Sequence, residues 1–136
     1  MKIIANIILY MISPDGQIVV LLQKKWNHPL HKDRWCIFGG HKKKKESPKK
    51  AAKREIRKET GINVKEPKRF GVFKFNNFGG LSYHVYYSEL TCQLSEISLT
   101  EGGGFALLNP AEIKKLPLIG NDRKILEKFF SFLARS

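Results

Sequence analysis

GGHKKKKESPKKAAKREIRKETGI, residues 39 to 62, is the stretch that decides how the rest of the chain reads. A glycine pair ends an apolar run, four lysines follow, and Ser47-Pro48 then opens a segment free of further breakers until Gly61. Ser47 is a preferred helix N-cap, Pro48 suits the first helical position, and Gly61 supplies a left-handed terminator, so a helix is predicted over 48–60. Glu55 and Glu59 are four apart and project from one face of it, close enough to share a hard divalent cation. Read alone, such a pair is most often a solvated helix face on which acids pair with neighbouring Lys and Arg.

Working outward, strands are predicted at about 2–12, 17–24, 34–38, 69–76, 81–93 and 103–108 from alternating or continuous apolar runs. Ser13-Pro14-Asp15-Gly16 turns the first of these into the second as a buried hairpin. Asn76 to Gly80 and Gly102 to Gly104 mark further turns. Helices are predicted at 110–115 and 121–134. The latter places Ile125, Leu126, Phe129, Phe130 and Leu133 on one stripe behind Asn121 or Asp122 as cap, the pattern of a helix packed on a core. Hairpins alternating with helices imply an α/β domain with a sheet covered on both faces.

The stretch resembles the Nudix box, G-x5-E-x7-R-E-U-x-E-E-x-G-U with U aliphatic. Gly40, Glu46, Arg54, Glu55, Ile56, Glu59, Gly61 and Ile62 are all in register, and Lys58 alone departs, standing where the first acid of the E-E pair is expected. The resemblance continues into Trp35 to His41 ahead of the box, with Phe38 where many members have proline. It extends to Thr100-Glu101-Gly102, which resembles a loop that often donates another acidic metal ligand, and to Phe105 to Leu116 beyond. It implies a single domain over 1–136 with the α/β/α sandwich and mixed sheet of that family.

It also implies a metal-dependent hydrolase of nucleoside diphosphates linked to another moiety, with (deoxy)nucleoside triphosphates as the expected class. Mg²⁺ or Mn²⁺ would be held by Glu55, Glu59, the Gly39 carbonyl and Glu101. Either Glu55 or Glu101 would orient or deprotonate the attacking water, while Glu46 and Arg54 would fix the rotamers of the acids. Lys58 sits four residues after Arg54, so a like-charge contact replaces an ion pair there, and an ammonium is placed close to the cation. The alternative reading is a catalytically weakened nucleotide- or RNA-binding protein that uses its basic face. RNA-reading motifs are absent from the sequence, so a nucleic-acid partner is secondary to a nucleotide.

The formal charge is +13 for 136 residues, which points to anionic partners. Between Lys42 and Arg54 there are eight Lys or Arg against the single acid Glu46. Lys24 and Arg34 are further candidates for phosphate contact, with Lys58. Among the aromatic residues, Trp26, Phe73, Phe75, Phe78, Tyr83 and Tyr86 fall where they would flank a cleft, although core packing is the default for each. His28, His31, His41 and His84 show no metal spacing, and His41 is expected to hydrogen-bond in a loop.

The N-terminal run MKIIANIILYMI holds Asn6, lacks a small-x-small cleavage site and is too short to span a bilayer, so it reads as a strand. Cys36 and Cys92 are placed inside strands and expected as reduced thiols, which favours a cytoplasmic protein without a membrane segment. A monomer or a homodimer is compatible with everything above.

Overall fold

Strand β1, Lys2–Ile12, is apolar enough on both sides to be buried along its middle, where Ala5, Asn6, Ile7, Ile8 and Leu9 are all covered. The computed structural model describes residues 2–25, 33–94 and 103–135. Their order is β1, β2 (Ile18–Lys24), β3 (Trp35–Cys36), β4 (Phe38–His41), α1 (Pro48–Thr60), β5 (Lys68–Phe75), β6 (Leu81–Glu89), β7 (Gly104–Leu108), α2 (Pro110–Lys114) and α3 (Asp122–Ala134). The seven strands form one mixed sheet, and the fold class is α/β.

The chain divides into two compact units. One comprises residues up to Leu9 and from Phe38 to Thr100; the other comprises Tyr10 to Ile37 and Glu101 onward. In the first unit the strand order is β1-β6-β5, with β4 also paired to β1. The β1–β4 pairing is antiparallel and sets Asn6 opposite Gly39 and Ala5 opposite Gly40. β5 and β6 form an antiparallel hairpin from Lys68↔Tyr87 to Phe75↔Leu81, with a bulge between Arg69 and Gly71. Helix α1 packs on β4 and β6, burying Ala51, Ala52 and Ile56, the small and branched residues of its inner face.

Both ends of α1 follow the sequence. Ser47 Oγ accepts the Lys50 N–H at 3.1 Å, a cap worth about 1 kcal/mol. Gly61, at φ +79°, donates its N–H to the Arg57 carbonyl at 2.8 Å. The first turn carries no acid, so Lys49 and Lys50 oppose the helix dipole as expected. Lys49 is partly compensated by an exposed ion pair with Glu66 at 3.0 Å.

In the second unit β2 pairs antiparallel with β3 and, through five residue pairs from Val20↔Leu108 to Lys24↔Gly104, with β7. The β1–β2 turn is closed by the Ser13 N–H to Gln17 carbonyl bond at 2.8 Å, and the Ser13 hydroxyl donates to the Asp15 carboxylate. Helix α3 buries Ile125, Leu126 and Phe129, with Tyr10 edge-on to Phe129. Phe130 and Leu133, the other members of the predicted stripe, are half-buried. Helix α2 is short; Asn109 and Glu112 form a capping box at its start. At its end the Arg123 guanidinium, projecting from α3, donates to the Ile113 and Leu116 carbonyls.

Three expectations need correction. The strand over 34–38 is two strands interrupted at Ile37, and the N–H of Ile37 donates to the Asp122 carboxylate at 2.9 Å. The segment drawn as a strand over 81–93 ends at Glu89, which puts Cys92 in a bend rather than in a strand. Asn121 is the residue before α3 but makes no side-chain cap bond, and Asp122 is turned inward instead.

Candidate active site

The glycine pair of β4 and the inner face of α1 meet in the first unit, and that meeting builds the site. Glu59 lies in the last turn of α1 on the same face as Ile56, so it is carried inward and is 1% exposed. Its Oε1 accepts the Gly39 N–H at 3.0 Å. Gly39 has φ +150°, a conformation that favours glycine, and a Cβ there would lie 2.8 Å from Asn6 Cα and nearer still to the Ala5 carbonyl and Asn6 Oδ1. At Gly40 a Cβ would lie 2.7 Å from the Glu55 carboxyl carbon and 3.0 Å from both of its oxygens. The two carboxylates therefore close on one short piece of backbone, and only glycines leave room for it.

Arg54 organises the approach. Its Nε and Nη2 bind the two Glu46 oxygens at 3.0 and 2.6 Å, its Nη1 binds Glu55 Oε1 at 2.7 Å, and Nη2 also donates to the His41 carbonyl at 3.2 Å. This planar fork fits the bidentate geometry that only arginine offers. Glu46 additionally accepts the Lys43 N–H at 2.8 Å, which pins the lysine loop to the helix. The Arg54 hydrogen bond, aided by that N–H, holds the Glu46 carboxyl down at about 2, and the same pairing raises Arg54. The Arg54 guanidinium is directed at Glu46 and Glu55, and Lys58, four residues on, is exposed.

Of the residues singled out in the sequence, Gly39, Glu46, Arg54, Glu55 and Glu59 come together in the first unit. Glu101 lies outside the described residues, as do Trp26, His28 and His31. Lys24 and Arg34 belong to the second unit: the Lys24 carbonyl accepts from Gly103, and that of Arg34 from Lys25. Tyr83 is core, as the default had it, whereas Phe78 is 67% exposed. His41, expected in a loop, is instead the last residue of β4, and it gives its carbonyl to Arg54.

Asn6 was missed. It was the one polar residue in an apolar run, buried to 4% exposure, and its partner across the pairing is Gly39. A lone Asn in a buried strand was the signal.

As for a metal, no group of three or more His, Cys, Asp or Glu converges among the described residues. The donors present are all hard oxygens: the carboxylates of Glu55 and Glu59 beside the Gly39-Gly40 backbone. That donor chemistry fits Mg²⁺ or Mn²⁺ and not a soft metal.

Comparison with known proteins bears on the fold that carries these residues. The chain superimposes on the NUDIX domain of Shewanella oneidensis NrtR, solved with ADP ribose, with a TM-score of 0.80 and 18% identity over 96% of this chain and 87% of that one. RenU, a Nudix hydrolase from M. Smegmatis, gives 0.78 and 18% over 97% and 85%. A C. elegans Ap4A hydrolase gives 0.76 and 20% over the full length of both chains. At these identities the likeness is one of fold. No curated protein matches. The NUDIX domain model matches residues 1–129, nearly the whole chain, and with the box residues in register and folded around Gly39-Gly40, the chain belongs to the Nudix family.

Proposed function

We propose that this chain hydrolyses a pyrophosphate bond in a nucleoside diphosphate linked to another group, with (deoxy)nucleoside triphosphates as the leading class. The observation that carries the reading is the convergence of Glu55 and Glu59 on Gly39-Gly40, with Arg54 clamping Glu46 and Glu55. Mg²⁺ or Mn²⁺ would be held by Glu55, Glu59 and the Gly39 carbonyl, with Glu101 as a further ligand. Such an ion supplies charge neutralisation on the phosphates and a lowered pKa for a bound water.

The residues contribute the rest. Arg54 fixes the Glu55 rotamer so that one carboxylate oxygen stays available to orient or deprotonate water, and Glu46 keeps Arg54 in place. Glu59, locked by the Gly39 N–H, contributes a negative charge that cannot swing away. Lys58 lies on the same helix and reduces the negative potential; it would contact substrate phosphate, and it argues for one cation rather than two. Among proteins of like fold, one is solved with ADP ribose and another is an Ap4A hydrolase, both consistent with a substrate built on linked phosphates.

The test is turnover of a nucleotide panel with Mg²⁺ or Mn²⁺ by wild type, Glu59→Gln and Lys58→Glu. Glu59→Gln keeps an acceptor for the Gly39 N–H and should fold normally while losing activity at least a hundredfold. If only Lys58→Glu turns over substrate, the native chain binds nucleotides without cleaving them, and the proposal fails.

A further inference from the structure

The tip of the β5–β6 hairpin presents Phe78 with 67% of its surface exposed, on a backbone at φ +53°. A bulky side chain in the left-handed region is unfavourable, and an exposed ring returns no burial energy, so the arrangement costs stability without a structural gain. Two residues on, the Gly80 carbonyl accepts the Lys2 N–H at 3.4 Å, which ties this tip to the start of β1. Lys2 in turn lines a shallow pocket of about 480 Å³ with Ile3, His41 and Lys42. Lys42 begins the lysine loop, and His41 gives its carbonyl to Arg54 of the candidate active site. An exposed ring, a cationic pocket and a lysine run are thus consecutive on the first unit.

The charge on this surface is uncompensated. The only acid of the loop, Glu46, is taken by Arg54 and the Lys43 N–H. Among the described residues no ion pair reaches Lys43, Lys44, Lys45 or Lys50. The hairpin adds to the field, since Arg69, Lys74 and Lys42 together act on His84 and, behind its burial, lower its proton affinity.

We propose that this surface, from Phe78 through the Lys2–Lys42 pocket to Lys43, Lys44 and Lys45, binds single-stranded nucleic acid, its phosphates on the lysines and a base stacked on Phe78. A free nucleotide would not need so long a cationic track, and a duplex would offer no unpaired base to an exposed ring. Aromatic stacking beside a cationic groove is how single strands are held without sequence readout. This reading is independent of hydrolysis at the neighbouring carboxylates.

Fluorescence anisotropy with labelled oligothymidylate of about 20 nucleotides, in EDTA, tests it without any catalytic step. Over about 50 to 300 mM salt, log Kd should rise with a slope of roughly 0.7 per phosphate engaged, and the Lys43→Gln/Lys44→Gln/Lys45→Gln triple variant should lower that slope by about 2. Phe78→Ala should weaken binding roughly tenfold at unchanged slope, and Phe78→Trp should restore it. Affinity unchanged by Phe78→Ala, a duplex bound as tightly as the single strand, or an acidic peptide bound in preference to either would overturn the proposal. Because metal is absent, failure here leaves nucleotide turnover standing, and loss of turnover leaves strand binding standing.

Discussion

Two adjacent glycines should respond to the same substitution in opposite ways. In Gly39→Ala the new methyl meets the Ala5 carbonyl and Asn6 Cα, which are backbone atoms of the paired strand β1 and cannot rotate aside, and φ +150° is strained for any side chain. Strain of about 1–3 kcal/mol and overpacking of about 1–3 kcal/mol add to a loss of roughly 2–6 kcal/mol, enough at its upper end to unfold a marginal domain. In Gly40→Ala the methyl meets only the Glu55 carboxylate, the far end of a flexible side chain. Glu55 can swing away at the expense of its 2.7 Å pair with Arg54, so stability should fall by no more than about 1 kcal/mol. Catalysis should nevertheless collapse, because the displaced carboxylate is the one Arg54 positions. Urea unfolding reads the first effect as a midpoint lower by about 2 M for Gly39→Ala and nearly unmoved for Gly40→Ala, and turnover with Mg²⁺ reads the second. A Gly40→Ala protein that is fully active, or as unstable as Gly39→Ala, would refute the reasoning.

Other outcomes follow from single residues. Asp122 is buried and its carboxyl is raised from 3.8 to about 7, chiefly by desolvation. Its folded form holds a proton the unfolded chain releases, so stability from this group is intact below about pH 4 and drains away between pH 4 and 7, by on the order of 4 kcal/mol at most. Asp122→Asn, which keeps an acceptor for the Ile37 N–H, should flatten the urea midpoint across that window. Gly61→Ala meets no neighbouring atom, so only the left-handed φ is strained, and thermal unfolding should show a loss of about 1 kcal/mol. Lys58→Glu should tighten Mn²⁺ binding roughly tenfold or more by calorimetry, since it changes the local charge by two at an exposed position; unchanged affinity would place Lys58 away from the cation.

The local signals were legible where one residue type has one physical use. Ser47, Pro48 and Gly61 set the limits of α1 because each solves a terminal hydrogen-bond or φ problem that others solve worse. β1 at 2–12 was equally clear from an apolar run interrupted only by Asn6. Legibility failed where a tertiary partner decides. Nothing in Trp35-Cys36-Ile37-Phe38 announces a break at Ile37, because the break is fixed by a carboxylate 85 residues away. Asp122 looked like a cap, and only its burial reveals a different task. The site behaved likewise: spacing put Glu55 and Glu59 on one face, but which oxygen meets which glycine, and the reach of Arg54 to the His41 carbonyl, depend on β4 lying across the helix. The exposure of Phe78 was hidden in a hairpin whose other aromatics are partly or fully covered.

Helix α2 has only five residues, too few to persist unaided in water, and its trailing carbonyls are closed by Arg123 from α3. It consequently has no thermodynamic existence of its own. Its amides should exchange with solvent deuterium at the rate set by the opening of α3, and truncating the Arg123 side chain should uncouple the two, leaving α2 to fray while α3 stays protected.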